Sequence, residues 1–363
     1  MKITFILPGW TTSPVGGFKV VYEYSSKLAE RGHFVSIVHP LDLDNSHGLI
    51  WRSCIHIRRY AASLLRGKWF NFHSSVNFLV TPSLEEKYVP DADYVVATAW
   101  RTAEWVDDYS IKKGSKYYFV QHYETWSGDK HNIDRTLKLK LRKIVISQWL
   151  RSVVEELGEM AEWVPNGIDS NTFTIQTPIE DRDMYSLGML YHESAWKGFD
   201  DGLKALTLVK AKYPKVSLKL FGVFPKRRNL PDWVTYTRNP SLVNLVALYN
   251  SMSIFVHTSL VEGWGLTPAE AMACGCAVVA TDSQGILDYA EHEKNALISP
   301  PRSPEKLAEN IISLIENRDR RVALAKAGHE RIRQFTWDKS VNRFEEALAG
   351  AQDQIRQNCL RKC

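Results

Sequence analysis

The feature that most constrains the fold is the stretch EGWGLTPAEAMACG, which lies between two short apolar runs. One run, Ile254 to Ser259, precedes it, and the other, CAVVAT, follows it; both are typical of buried strands. Gly263 and Gly265 allow a tight turn between them. Pro268 suits the first turn of a helix, where a missing N–H costs nothing. We therefore predict a strand, a glycine-rich turn, a helix and a second strand.

This turn is also predicted to bind an anion, because a helix N-terminus offers unpaired N–H groups and the positive end of its dipole. Glu262 stands before the turn and Glu270 lies in the helix, so both carboxylates can reach hydroxyl groups beside the anion. A phosphate flanked by hydroxyl groups indicates a nucleotide-diphosphate sugar. Its sugar and phosphate oxygens would bind the N–H groups of the turn, which belong to Gly263, Trp264, Gly265, Leu266 and Thr267.

Each glutamate has a structural alternative. Glu270, assigned to the ribose hydroxyls, could simply stabilise its helix N-terminus. Glu262, assigned to the hydroxyls of the donor sugar, could form a loop salt bridge.

Short apolar strands alternate with amphipathic helices along the chain, which is typical of parallel sheets covered on both faces. A polar, turn-rich stretch interrupts this alternation, and 363 residues favour two domains. We predict an α/β protein with two Rossmann-like parallel-sheet domains facing a cleft. Residues 1–166 form the first domain, 167–183 a linker and 184–336 the second domain. Because ligands bind at the carboxyl ends of such strands, the chemistry is predicted to lie in the cleft.

Composition excludes several other classes of protein. A net charge of +5, with no recognisable nucleic-acid motif, predicts no nucleic-acid partner. The five cysteines lack the spacing of a metal site or a disulfide framework, so we expect reduced thiols, a cytoplasmic location and no metal. No run approaches the roughly 20 apolar residues that a membrane-spanning helix needs.

Taken together, the motifs resemble those of the retaining glycosyltransferases of family 4, which include the bacterial mannosyltransferases and sucrose synthase. The signature of that family is a pair of glutamates separated by seven residues, matched here by Glu262 and Glu270. The resemblance extends to VPNGID, WKGFD, the first-domain GG pair and QH before Tyr123. It implies the GT-B fold, with a C-terminal helix over 337–363 that returns to the first domain. It further implies front-face transfer without a metal or other cofactor.

The resemblance also assigns roles to residues outside the glutamate pair. Gly16 and Gly17 would lie over the junction of donor and acceptor, although an ordinary turn is the alternative. His122 would stand near the transferred sugar, and Lys197 would neutralise the diphosphate. The predicted catalytic residues are therefore Glu262, His122 and Lys197.

The chain departs from the family after the first strand of the second domain. Many members have an arginine there, where this chain has Met189 after Gly188. Either Lys197 and backbone amides suffice, or a nearby cation substitutes for the arginine: Lys226, Arg227 or Arg228.

The acceptor side is less constrained by sequence. Cations and aromatic residues interleave over 51–78, which suggests peripheral contact with an anionic membrane through Arg58, Arg59, Arg66 and Trp69. A solvated helix with a buried aromatic face is the alternative. Three tryptophans after first-domain strands are candidates for stacking on sugars: Trp100, Trp105 and Trp126.

The favoured function is that of a retaining glycosyltransferase, which transfers a sugar from a nucleotide-diphosphate sugar to a glycan or lipid-linked acceptor. Bacterial surface polysaccharide or glycolipid synthesis is the predicted setting, in the cytoplasm or on the inner face of the membrane. Two alternatives stay open: a sugar-nucleotide-binding partner subunit without turnover, and a sugar epimerase or phosphorylase on a similar scaffold.

Overall fold

The computed structural model describes residues 1–43 and 69–360, with side chains described up to residue 350. The chain divides into two compact units. The first unit comprises Met1–Pro165 and Asp338–Cys363, and the second comprises Asn166–Trp337. Residues 167–183 thus lie within the second unit.

The first unit is built on a parallel sheet of seven strands in the order β3-β2-β1-β4-β5-β6-β7. The strands are β1 Lys2–Ile6, β2 Phe34–Pro40, β3 Asn77–Thr81, β4 Tyr94–Ala97, β5 Ser115–Val120, β6 Arg142–Val145 and β7 Ala161–Trp163. Its helices are α1 Gly16–Glu30, α2 Trp100–Asp108, α3 Lys130–Leu137, α4 Gln148–Glu156 and α10 Trp337–Leu360. The strand order reverses between β1 and β4, which is where ligands of doubly wound sheets bind.

The second unit repeats this arrangement with six parallel strands in the order β10-β9-β8-β11-β12-β13. The strands are β8 Ser186–Leu190, β9 Ser217–Gly222, β10 Val234–Arg238, β11 Ile254–His257, β12 Ala277–Thr281 and β13 Leu297–Ser299. Its helices are α5 Phe199–Lys212, α6 Leu242–Asn250, α7 Leu266–Ala273, α8 Pro304–Glu316 and α9 Arg318–Ile332. The order reverses between β8 and β11. The prediction of two Rossmann-like parallel sheets is confirmed.

The last helix completes the core of the first unit. Phe344 on α10 is fully buried, and its ring centroid lies 4.8 Å from that of Tyr24 and 5.5 Å from that of Phe119. At the surface, Arg31, the residue that follows α1, pairs with Glu345 at 2.7 Å. Helix α10 therefore buries apolar surface that the first sheet would otherwise expose.

A buried arginine holds the start of the second unit to its sheet. Arg182 donates to the backbone oxygens of Thr177, Met252 and Cys274 at 2.9, 3.1 and 2.6 Å. Because a buried guanidinium must satisfy its donors, these bonds fix the segment before β8. Cys274 and Cys276 are both free and buried.

No helix in the described part of the chain is both long and apolar enough to span a bilayer.

We predict that Phe344→Ala lowers the free energy of unfolding by about 3–5 kcal/mol, because it opens a cavity among the three aromatic rings of Phe5, Tyr24 and Phe119. Urea denaturation of the whole chain measures the loss. Phe34→Ala is the matched control, since Phe34 is 74% exposed and its loss should change stability by less than about 0.5 kcal/mol. Equal effects of the two variants would contradict the packing of α10 described above.

Candidate active site

An ion pair lies at the carboxyl edge of the second sheet. Lys197 Nζ is 2.6 Å from Glu262 Oε1, and the same oxygen accepts a hydrogen bond from Ser259 Oγ at 2.6 Å. The side chain of Glu262 is 11% exposed and that of Lys197 is 21% exposed. The pair is thus partly shielded from water, which strengthens its electrostatic interaction.

Backbone contacts fix the turn that carries Lys197. A short 3₁₀ turn over Ala195–Lys197 leads into Gly198, which has φ +62° and begins α5. A Cβ on Gly198 would lie 2.0 Å from the backbone oxygen of Thr258, so only glycine fits this approach. Thr258 Oγ1 in turn donates to the Lys197 backbone oxygen at 2.8 Å. The WKG motif therefore docks the lysine onto the loop after β11.

Glu262 is held by the loop that follows β12. Its N–H donates to Ser283 O at 2.8 Å, and Gly285 N–H donates to Glu262 O. A Cβ on Gly285 would lie 2.3 Å from Gly263 O, so glycine is required for the two loops to meet. The carboxylate is therefore placed by backbone bonds from both sides.

Electrostatics keep Glu262 ionised. Burial alone would raise its pKa, but the Lys197 ammonium and the hydrogen bonds from Lys197 and Ser259 lower the pKa from 4.5 to about 2. Burial also lowers the pKa of His257 to about 4, so His257 is neutral at pH 7. Lys197 is therefore the cation that balances Glu262.

Two neutral histidines border the pair, and sequence reasoning missed both. His257 ends β11, and its Nε2 lies 3.1 Å from Ser283 Oγ. His192 follows β8, and burial followed by the Lys197 charge lowers its pKa to about 4. Its Nδ1 accepts the Ser194 N–H at 3.0 Å, which leaves the proton on Nε2. Neither residue carries a motif that marks it in the sequence.

A small pocket opens beside the pair, at the point where the strand order of the second sheet reverses. It is lined by residues at the ends of β8 and β11 together with the lysine: Met189, Leu190, Lys197, Val256, His257, Thr258 and Ser259. Its position matches the general binding site of doubly wound sheets.

The helix after the glycine-rich turn has an open N-terminus. Gly265 is its N-cap at φ +84°, and no side chain caps the first turn. A Cβ on Gly265 would lie 2.6 Å from Ile286, and Tyr289 OH donates to Gly265 O at 2.6 Å. The backbone N–H groups of the first turn, which include those of Leu266 and Thr267, therefore receive no hydrogen bond from an N-cap side chain. Helix α7 begins at Leu266, so Pro268 lies in its first turn as predicted.

The side chain of Trp264 is buried, so only its backbone N–H is available for the predicted contact with the donor. Its side chain is 1% exposed and packs against Tyr289 and Phe335, at ring centroid distances of 4.9 and 5.8 Å. The indole is a core residue that anchors the turn.

Glu270 is 4% exposed within α7. Its Oε2 accepts a hydrogen bond from Tyr249 OH at 3.1 Å.

The remaining predicted residues lie in the first unit. Gly16 and Gly17 begin α1, neither with a positive φ. A Cβ on Gly17 would make ordinary contact with Gln121 at 3.7 Å. His122 follows β5 and meets Trp126 edge-on at a ring centroid distance of 4.1 Å.

The position at which many family members have an arginine is occupied here by Met189. Met189 is 1% exposed and belongs to the apolar core of the second unit. Of the possible substitutes, Arg227 pairs with Asp200 and lies over the Phe199 ring. The flanking cations Lys226 and Arg228 are exposed.

Three of the four residues predicted to contact a membrane lie outside the described residues: Arg58, Arg59 and Arg66. Trp69 lies on the first unit, with its ring 5.3 Å from that of Tyr22.

We predict that Lys197→Met costs about 2 kcal/mol or more of unfolding free energy at pH 7, because it leaves a shielded carboxylate unpaired. The double variant with Glu262→Gln should be more stable than Lys197→Met alone. Urea denaturation of both singles and the double gives the coupling, and additive losses would contradict the ion pair.

The same pair predicts an acid dependence. Because the pKa of Glu262 lies below its ordinary value, the stability it contributes is complete above pH 4.5 and is lost as the pH falls toward 2. Lys197→Met should therefore lose less stability than wild type over that range, measured by urea denaturation at several pH values. Parallel losses would show that other groups carry the acid dependence.

Residues 172–331 match the family Glycosyl transferases group 1. A GDP-mannose-dependent alpha-(1-6)-phosphatidylinositol monomannoside mannosyltransferase of Mycobacterium tuberculosis is 28% identical over 214 residues, which cover 52% of this chain and 56% of the relative. The chain spans about half the length of the curated relatives it matches.

Solved structures resemble the chain over almost its full length. Anabaena Alr3699/HepE, solved in complex with UDP-glucose, has a TM-score of 0.74 at 17% identity, with 96% of this chain and 100% of that chain covered. A sucrose-phosphate synthase from Thermosynechococcus elongatus has a TM-score of 0.67 at 17% identity, with 100% of each chain covered. At 17% sequence identity, this structural similarity establishes a shared fold alone. Residues 172–331 are thus similar to the glycosyl transferases group 1 family, and the two parallel-sheet units share the fold of solved GT-B glycosyltransferase structures.

Proposed function

We propose that the protein is a retaining glycosyltransferase that transfers a sugar from a nucleotide-diphosphate sugar to a glycan or lipid-linked acceptor. The second unit would bind the donor, and the first unit would bind the acceptor. The observation that carries the proposal is the Lys197–Glu262 ion pair. Glu262 lies four residues before Leu266, where a helix begins whose N-terminus no side chain caps. A cation, a carboxylate and open N–H groups together suit a phosphate bonded to a sugar.

Donor binding follows from the capacities of these groups. An ammonium has three donors, so Lys197 can keep its bond to Glu262 and add bonds to a diphosphate. Glu262, ionised by its neighbours, accepts hydrogen bonds from hydroxyl groups of the sugar. The first N–H groups of α7 bind phosphate oxygens, and Glu270 accepts from the ribose hydroxyls.

The chemical step is proposed to occur on one face of the sugar. The bond between C1 and the phosphate oxygen breaks, the acceptor oxygen bonds to C1, and the acceptor proton passes to the departing phosphate oxygen. Lys197 would offset the negative charge that gathers on the diphosphate, and Glu262 would stabilise the positive charge that develops at C1. His122 would hold the transferred sugar or the acceptor, and Gly16 and Gly17 would let a ligand approach α1.

The relatives support the choice of donor. The Anabaena neighbour binds UDP-glucose, and the M. tuberculosis relative is named for its dependence on GDP-mannose. We propose a nucleotide-diphosphate sugar as the donor here, without a metal or other cofactor. Synthesis of a bacterial surface polysaccharide or glycolipid in the cytoplasm is the proposed setting, with the membrane contact through Arg58, Arg59, Arg66 and Trp69 as part of it.

We predict that the protein releases nucleoside diphosphate from a UDP- or GDP-sugar, and that Lys197→Met and Glu262→Gln each lower the rate about 100- to 1000-fold. Release is followed by a coupled nucleotide assay, with and without a saccharide acceptor. Lys204→Met and Glu309→Gln are the matched controls, because both side chains are more than 60% exposed.

Unchanged turnover in both site variants would contradict the proposal. Tight donor binding without release under any condition would favour the alternative of a partner subunit without turnover. Release that requires inorganic phosphate as the acceptor would favour a phosphorylase.

A separate prediction concerns Glu270. Glu270→Gln should weaken the binding of UDP or GDP about 10- to 100-fold, because a charge-assisted hydrogen bond to the ribose contributes about 1.5–3 kcal/mol. Calorimetry measures the affinity. The 2′,3′-dideoxy nucleotide is the control ligand and should bind both proteins equally; an equal loss for both ligands would place Glu270 away from the ribose.

A further inference from the structure

The first unit holds a second cluster of polar and aromatic groups, in the loop between β5 and α3. Three short bonds stiffen this loop: Thr125 N–H to Tyr123 O at 2.8 Å, Ser127 N–H to Glu124 O at 2.9 Å, and Ser127 Oγ to the same oxygen at 2.9 Å. Such a loop can hold a side chain in one place without help from a ligand.

The loop is fastened to the start of α2. Glu124 Oε2 accepts the backbone N–H of Trp100 at 2.7 Å, and the Trp100 indole N–H donates to Ser127 Oγ at 3.0 Å. A Cβ on Gly128 would lie 2.7 Å from the Trp100 ring, so glycine is needed for the loop to pack there. Ala99, the N-cap of α2, has no side-chain oxygen that could accept a backbone N–H of the first turn. Glu124, in the loop after β5, supplies that acceptor instead.

One large ring remains exposed on this loop. Trp126 is 40% exposed, and it is braced edge-on by the His122 ring, which also meets Trp149 edge-on at 6.0 Å. A braced, exposed indole can bind a ligand at low cost in side-chain entropy. Thr125 and Ser127, which are exposed on either side of Trp126, supply hydroxyl groups at its border.

The charges near this loop argue against an anionic ligand. Lys130 pairs with Asp134 at 2.7 Å, and Arg135 pairs with Glu104. Both cations are thus already balanced by carboxylates. A neutral saccharide, which presents C–H groups on its face and hydroxyl groups on its rim, fits this chemistry better than a phosphate or a lipid head group.

We propose that Trp126 is the stacking surface for a neutral sugar ring of the acceptor, held in place by Glu124 and Ser127 against Trp100. This inference rests on the proposed function and names the class of acceptor that the first unit would take. Burial raises the pKa of Glu124 to about 7, opposed by its bond to the Trp100 N–H, which agrees with a carboxyl group enclosed by the loop.

The test measures saturation-transfer NMR from the full-length protein, with UDP or GDP bound, to four free sugars: methyl α-mannoside, methyl α-glucoside, methyl α-galactoside and N-acetylglucosamine. We expect ring C–H signals for at least one sugar in the wild type. Trp126→Ala should bind it about three- to tenfold more weakly, while Trp126→Phe keeps most of the affinity. Phe34→Ala is the control for loss of an exposed ring in the same unit.

The inference fails if no sugar gives a signal while the nucleotide binds, or if Trp126→Ala binds sugar as wild type does. Failure of the nucleotide itself to bind would instead count against the proposed function. Calorimetry of the nucleotide with each variant shows that the protein is still folded and keeps the two outcomes apart.

The positioning role of Glu124 has its own test. Glu124→Ala should lower the affinity for the same sugar, because it frees the loop from α2, whereas Glu124→Gln keeps an oxygen that accepts the Trp100 N–H. Equal sugar affinity in the alanine variant would overturn that role.

Discussion

The second unit depends on one interaction, the shielded ion pair between Lys197 and Glu262. Neither charge would be stable alone at this position, since a partly buried ion without a partner costs several kcal/mol. Two glycines allow the approach. Gly198 lets the lysine turn pass against Thr258, and Gly285 lets the loop after β12 pass against Gly263. The motif residues are thus joined by contact: the lysine turn, the glutamate loop and the helix start form one structure before any ligand binds.

Each unit places its polar groups at the carboxyl edge of a parallel sheet whose strand order reverses beside its first strand. In the second unit these groups are charged and surround an open helix N-terminus. In the first unit they are an aromatic ring, an imidazole and a carboxylate that caps α2. The difference in chemistry supports different ligands, an anionic diphosphate for the second unit and a neutral sugar ring for the first. On the two proposals made above, a shared fold carries two distinct sites, each defined by its own side chains.

The sequence predicted the two-sheet fold and most central elements, because buried parallel strands are continuous apolar runs with glycine turns at their ends. Three elements lack a clear signal in the sequence, for physical reasons. Strand β13 has only three residues, β10 is partly exposed, and α2 has an alanine at its N-cap because the cap comes from Glu124, far along the chain. In the site, the glutamates and Lys197 were found through their motifs. Ser259, His192 and His257 were not, since their role follows only from tertiary contacts.

The most direct measurement is a crystal structure of the protein with an intact nucleotide-diphosphate sugar. The account predicts Lys197 Nζ within hydrogen-bond distance of a phosphate oxygen, Glu262 bonded to hydroxyl groups of the sugar, and phosphate oxygens at the first N–H groups of α7. A donor bound elsewhere, with the ion pair and the helix N-terminus untouched, would contradict it.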